Sequence, residues 1–132
     1  MCVTGARWAQ KQILEKHPGL DLAVYAVWYN MVASDARKRW PEGLLDDPRV
    51  AHLWDEERVV GRWFATKPAL GDCGLGGQIA WDAYYLFPKD ARWGDAPAPL
   101  ITSGCPIVRE RERLEAAVEV LVKEARKAHR GG

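Results

Sequence analysis

The run Leu22-Ala23-Val24-Tyr25-Ala26-Val27-Trp28-Tyr29 constrains this chain more than any other stretch. It carries no charge and is rich in β-branched and aromatic residues. Its apolar residues fall at odd and even positions alike. A strand with one wet face alternates apolar and polar residues, whereas a strand covered on both faces does not. The spacing therefore predicts a fully buried central strand within 20–32, with helices on both sides of its sheet. The run is too short to span a bilayer as a helix.

The flanking segments supply the covering layers. Thr4–Lys16 reads as a helix capped by Thr4, with Ala6, Ala9, Ile13 and Leu14 as its apolar stripe and His17-Pro18-Gly19 as its stop. Ser34 caps a short helix over Asp35–Trp40, closed by Pro41. Val50–Trp54 reads as a short strand. Asp55 then caps a helix whose face is Val59, Val60, Trp63 and Phe64. Gln78–Phe87 reads as a second strongly apolar strand and Leu100–Cys105 as a third. Arg109–His129 reads as a closing amphipathic helix with the stripe Leu114, Val118, Leu121, Val122 and Ala125. The expected fold class is α/β, in the order α-β-α-β-α-β-β-α. Alternation of helices and strands makes the first part of the sheet parallel, and the last two strands are placed to pair antiparallel, giving a mixed sheet with helices on both faces. One domain is the natural count for 132 residues.

Composition narrows the partners. The net charge is +1, so no strong field draws the chain to nucleic acid or to an acidic membrane. The start, Met1 to Trp8, lacks the basic and apolar regions of a signal peptide. Three cysteines, Cys2, Cys73 and Cys105, show no C-x-x-C spacing, so reduced thiols in a cytoplasmic protein are expected. Seven Trp is a high count for this length, and such side chains suit cores and interfaces. No cofactor or metal site is expected, because His17, His52 and His129 share no ligand spacing.

The element order resembles that of the thioredoxin-like superfamily. Val50-Ala51-His52-Leu53-Trp54-Asp55-Glu56-Glu57-Arg58-Val59-Val60-Gly61-Arg62-Trp63-Phe64 resembles the strand, acidic turn and helix of the peroxiredoxin-like, thiol-oxidoreductase branch. Ala80-Trp81-Asp82-Ala83-Tyr84-Tyr85-Leu86-Phe87-Pro88-Lys89-Asp90 is similar to the strand that follows, with its Pro-x-Asp turn. The family pattern has a strand before the first helix and C-x-x-C at that helix's start. Here the chain begins almost at the helix, with Cys2-Val3-Thr4-Gly5. Cys2 corresponds either to the first cysteine, with Gly5 in place of the second, or to the second cysteine, with the first lost along with the strand. Both readings exclude a dithiol cycle within Cys2–Gly5.

Individual residues carry further expectations. Cys2 precedes a helix N-terminus, where free N–H groups and the dipole favour a thiolate, and Arg7 can add positive charge. Against this, residues near a terminus are often frayed. Cys73, in the Gly-rich loop 71–77, and Cys105, before Pro106, are candidate resolving thiols; each is more commonly an inert thiol or a small buried hydrophobe. The Gly-rich loop lacks Gly-Lys-Ser/Thr and precedes a strand, so it is not a phosphate cradle. His52 reads as structural. Asp82 is anomalous on an apolar strand and calls for a strand edge or a partner such as Arg92.

Two function classes follow. In one, the chain is a non-enzymatic or degenerate binding and assembly module, most naturally a homodimer. In the other, it is a thiol-dependent oxidoreductase or peroxidase-like enzyme with Cys2 as nucleophile and a protein, small thiol or peroxide as partner.

Overall fold

The computed structural model describes residues 2–29, 43–71, 73–75 and 78–131. The helix expected over 35–40 lies outside them. Among the described residues the chain mixes helices and strands. Helix α1 spans Cys2–Ala9 and continues as a π-helical turn over Gln10–Leu14. Strands β1 (Val24–Trp28) and β2 (Val50–Trp54) follow, then helix α2 (Val59–Ala65). The short strands β3 (Gly74–Leu75), β4 (Ile79–Ala80), β5 (Tyr84–Leu86), β6 (Arg92–Trp93), β7 (Pro97–Ala98) and β8 (Thr102–Gly104) lead to helix α3 (Arg111–Gly131). No described helix is long and apolar enough to cross a membrane.

The strands pair two by two. β1 and β2 are parallel, with Val24 opposite Val50 and Trp28 opposite Trp54. β5 and β8 are antiparallel, as are β3–β4 and β6–β7. The parallel start and antiparallel finish match the expected senses. Among the described residues the pairs do not join into the single mixed sheet expected.

Asp82 makes the main interruption. The expected strand 78–87 is split into β4 and β5 because Asp82 adopts φ 51°, a left-handed conformation that ends strand pairing. Asp and Asn tolerate that region better than most residues.

Two apolar clusters flank the first helical segment. Ala6, Leu14 and Leu45 pack against Val24, Ala26, Trp28 and Val50, the inward face of the β1–β2 pair. Ile13 turns the other way onto Leu114 and Val118 of α3. The expected stripe of α3 is thus buried at its start, while Ala125, near its end, is exposed. Lys16 reaches Glu115 at 3.3 Å, an exposed pair worth little by itself.

Arg49 organises the turn before β2. Its guanidinium donates to the carbonyl oxygens of Leu14 (2.9 Å), the last residue of the π-helical turn, and of His17 (2.9 Å) and Leu20 (2.8 Å) in the turn that follows, where the His17 carbonyl also accepts the Leu20 N–H. The same side chain is gripped by both carboxylate oxygens of Asp47 at 2.9 Å. One residue therefore closes the helix end and fixes the entry to β2.

Asp55 behaves as expected. Its carboxylate accepts the N–H groups of Val59 (2.9 Å) and Val60 (2.7 Å) at the start of α2. The buried face of α2 differs from expectation: Val59 and Val60 are exposed, and Gly61 makes the close contact. A Cβ there would lie 2.9 Å from Ile79 Cγ1 and 3.2 Å from the Ala80 carbonyl oxygen, so glycine lets α2 lie against β4.

None of the described tryptophans is fully buried, although Trp28 and Trp8 pack against the two clusters. Trp8, Trp28, Trp54, Trp63 and Trp81 are partly buried and Trp93 is 73% exposed. Trp63 meets Phe64 edge-on at 4.9 Å and Trp93 at 5.6 Å, and Phe64 stacks on Tyr85 at 4.4 Å.

The Tyr85 hydroxyl is buried and, among the described residues, has no hydrogen-bond partner; burial pushes it up to about 12. A folded-state value above the ordinary 10.0 means a contribution to stability that is complete below pH 10 and lost as pH rises through about 12. Tyr85→Phe removes this alkaline loss. It leaves stability at neutral pH unchanged or raised, because it deletes an unsatisfied buried group. Urea unfolding of both proteins across that alkaline window checks the difference.

Candidate functional site

Two surfaces concentrate the chemistry. The first is the outward face of the β1–β2 pair. Register places Tyr25 opposite Ala51 and Val27 opposite Leu53, all pointing away from the face that packs under α1. Tyr25 is 70% exposed, Leu53 is 49% exposed and Ala51 is also exposed. This corrects the expectation of a strand buried on both sides. The apolar run does continue through both faces, but among the described residues only one has a layer over it.

His52 belongs to the inward side of this pair. Its Nδ1 accepts the Trp28 indole N–H at 3.1 Å, and its Nε2 lies 3.2 Å from the Leu45 carbonyl oxygen. Acceptance at Nδ1 places the proton on Nε2, which donates to Leu45. Both nitrogens are occupied in holding β2 to β1 and to the preceding turn, a structural role.

The second surface is a cleft of about 580 Å³ where the start of α1, the Asp82 turn and the entry to α3 meet. Thr4, Asp82, Pro106, Val108, Arg109 and Arg111 line it. α1 comes close to this entry because Gly5 has no side chain: a Cβ would sit 2.9 Å from Ile107 Cβ. The Tyr84 hydroxyl donates to the Glu110 carbonyl oxygen at 2.8 Å and anchors the entry from the other side. Asp82 is only 9% exposed, and among the described residues its Oδ1 has no hydrogen-bond partner. Arg92 does not serve it; that residue lies exposed on β6.

The cysteines fall as follows. Cys2 is the first residue of α1, two positions before the cleft residue Thr4. Arg7 lies exposed in the last turn of that helix, so any charge it lends acts from the far end. Cys73 and Cys105 form a disulfide with each other, Cα atoms 5.7 Å apart. That differs from the expected reduced thiols: residues remote in sequence are brought together where the segment before β3 passes the end of β8. While the bond stands, neither is a free resolving thiol. Sequence spacing gave no signal of this pair, since it depends on long-range folding. Among the described residues no group of three His, Cys, Asp or Glu lies together to hold a metal ion.

Comparison with known proteins places little beside this geometry. No family model matches the chain, and no solved structure does. The chain is similar to the Gag-Pol polyproteins of Rous sarcoma virus subgroup B (strain Schmidt-Ruppin) and Avian leukosis virus subgroup A (isolate RSA), at 34% identity over 58 residues in each case. That stretch is 44% of this chain and 3% of either polyprotein. A match of that extent gives this chain no activity.

Proposed function

We propose that this chain is a non-enzymatic binding and assembly module, built in a thioredoxin-like order, that pairs with a second copy of itself through the outward β1–β2 face. The carrying observation is the exposed set Tyr25, Ala51 and Leu53 on a parallel strand pair. Parallel strands are nearly always covered on both faces, and among the described residues no layer covers this one. The face carries no charged residue, so two copies meet on it without like-charge repulsion, as an isologous contact requires. The thioredoxin-like part rests on α1 before a parallel pair and on antiparallel β5–β8 before α3. Cytoplasmic residence belongs to the same proposal. Reducing conditions there would act on the Cys73–Cys105 bond, and the assembly face contains no cysteine.

Sedimentation velocity over a dilution series tests the pairing. A concentration-dependent monomer–dimer equilibrium is expected, weakened about tenfold or more by Leu53→Lys. A monomer at every concentration rejects it.

A second reading has one observation in its favour. Thr4 and Pro106 line the same cleft, so the start of α1 and the Cys105 turn share one end of the molecule. In that reading Cys2 is the nucleophile of a thiol oxidoreductase or peroxidase-like enzyme, regenerated by an external thiol. It requires a depressed Cys2 pKa, measured as alkylation rate against pH with the Cys73–Cys105 bond intact. A midpoint near the ordinary ~8.5 removes it.

A further inference from the structure

The geometry points to the cleft between α1, the Asp82 turn and the entry to α3 as a binding site for a free α-amino acid with an apolar side chain. The inference is independent of the assembly face.

Three features of the cleft select that ligand. Asp82 is more than nine-tenths buried and lines the cleft, and its Oδ1 is unpartnered among the described residues. A buried carboxylate oxygen without a donor is costly, and a ligand ammonium supplies donors. Arg109 and Arg111 line the same cleft, and neither guanidinium has an ion-pair partner among the described residues. Guanidinium groups bind carboxylates through paired N–H donors.

The lining as a whole therefore presents both signs, with Glu112 adding a second carboxylate. A simple anion meets Asp82 and Glu112 unfavourably, and a simple cation meets the two arginines. A zwitterion satisfies both. Pro106 and Val108 supply apolar lining between the charged groups, which suits an aliphatic side chain. The volume of about 580 Å³ lies within the usual range for small-molecule sites. Binding here involves no covalent step.

Amide chemical-shift titration of the intact chain, disulfide present, tests this with three matched probes. L-leucine carries both charges, 3-methylbutylamine only the ammonium and 4-methylpentanoate only the carboxylate. Leucine is expected to give saturable shifts at Thr4, Asp82 and Arg109, with each half-molecule binding at least about tenfold more weakly. Asp82→Asn is expected to weaken leucine by a similar factor while keeping the fold, since Asn accepts the left-handed backbone at this position. The exposed pair Arg109→Ala with Arg111→Ala provides a second variant, expected to weaken leucine and 4-methylpentanoate but not 3-methylbutylamine. No saturable leucine shift up to its solubility limit overturns the proposal. So does equal binding of leucine and either half-molecule, or a set of shifts confined to residues away from the cleft.

Discussion

Replacing Arg49 with alanine is expected to lower the unfolding free energy by about 2–4 kcal/mol. The size follows from what the side chain holds. Its guanidinium serves the carbonyl oxygens of Leu14, His17 and Leu20 and both oxygens of Asp47. Alanine takes the charged donor from the Leu14, His17 and Leu20 carbonyl oxygens, of which His17 keeps the Leu20 N–H, and leaves the Asp47 carboxylate without its cation. Arg49→Lys recovers little, because one ammonium cannot span acceptors that a planar fork reaches together. Urea denaturation measures both variants.

The same pair sets an acid dependence. Hydrogen bonding from the Arg49 side chain, helped by its backbone N–H, holds Asp47 at about 2, below the ordinary 3.8. A depressed folded-state value gives stability that is present above 3.8 and lost as pH falls through about 2. Wild type therefore loses more stability across that window than Arg49→Ala does. Equal stability of the two proteins at neutral pH would show that the carbonyl oxygens at the helix end are satisfied without Arg49.

Opening the Cys73–Cys105 bond carries the second large effect. The bond closes a loop between residues 32 apart in sequence. Releasing such a loop restores unfolded-chain entropy worth about 3–4 kcal/mol in the loop-closure description. The double variant Cys73→Ser with Cys105→Ser, and wild type after reduction, are both expected to unfold at lower urea by that amount. Thiol titration supplies an independent check. Three cysteines less the two in the bond leave one reactive thiol per denatured, unreduced chain, rising to three after reduction. Coincident unfolding curves before and after reduction, or three thiols at the outset, contradict the assignment.

Much of the scaffold was legible because it depends on local pattern. The 3.6-residue spacing of Leu114 and Val118 marked the core side of α3, and Asp55 before an apolar helix marked a cap. β2 was recovered at the expected boundaries. Other features depend on long-range placement. The apolar run Leu22–Tyr29 shows that both faces can be buried, but not that a layer covers each. The Asp82 break is a backbone state at a residue whose apolar neighbours favour a strand. It had one local signal, the anomaly of a carboxylate in that setting. Arg49 was missed because its acceptors lie around thirty residues upstream. The available hint was the abrupt stop at His17-Pro18-Gly19, which leaves helix-end carbonyls needing donors. The disulfide gave no local pattern at all. Of the candidate site, the sequence marked Asp82 and the start of α1, while the meeting of these with Arg109 and Arg111 required the fold.

Pairing through the outward β1–β2 face must shield that face from solvent. Hydroxyl-radical footprinting at low and high protein concentration tests it directly. Tyr25 on that face and Trp93 on β6 are 70% and 73% exposed, so each starts as a readily oxidised aromatic. Tyr25 is expected to become protected as concentration rises while Trp93 continues to be labelled. Tyr25 labelled equally at both concentrations, or Trp93 protected in its place, would contradict it.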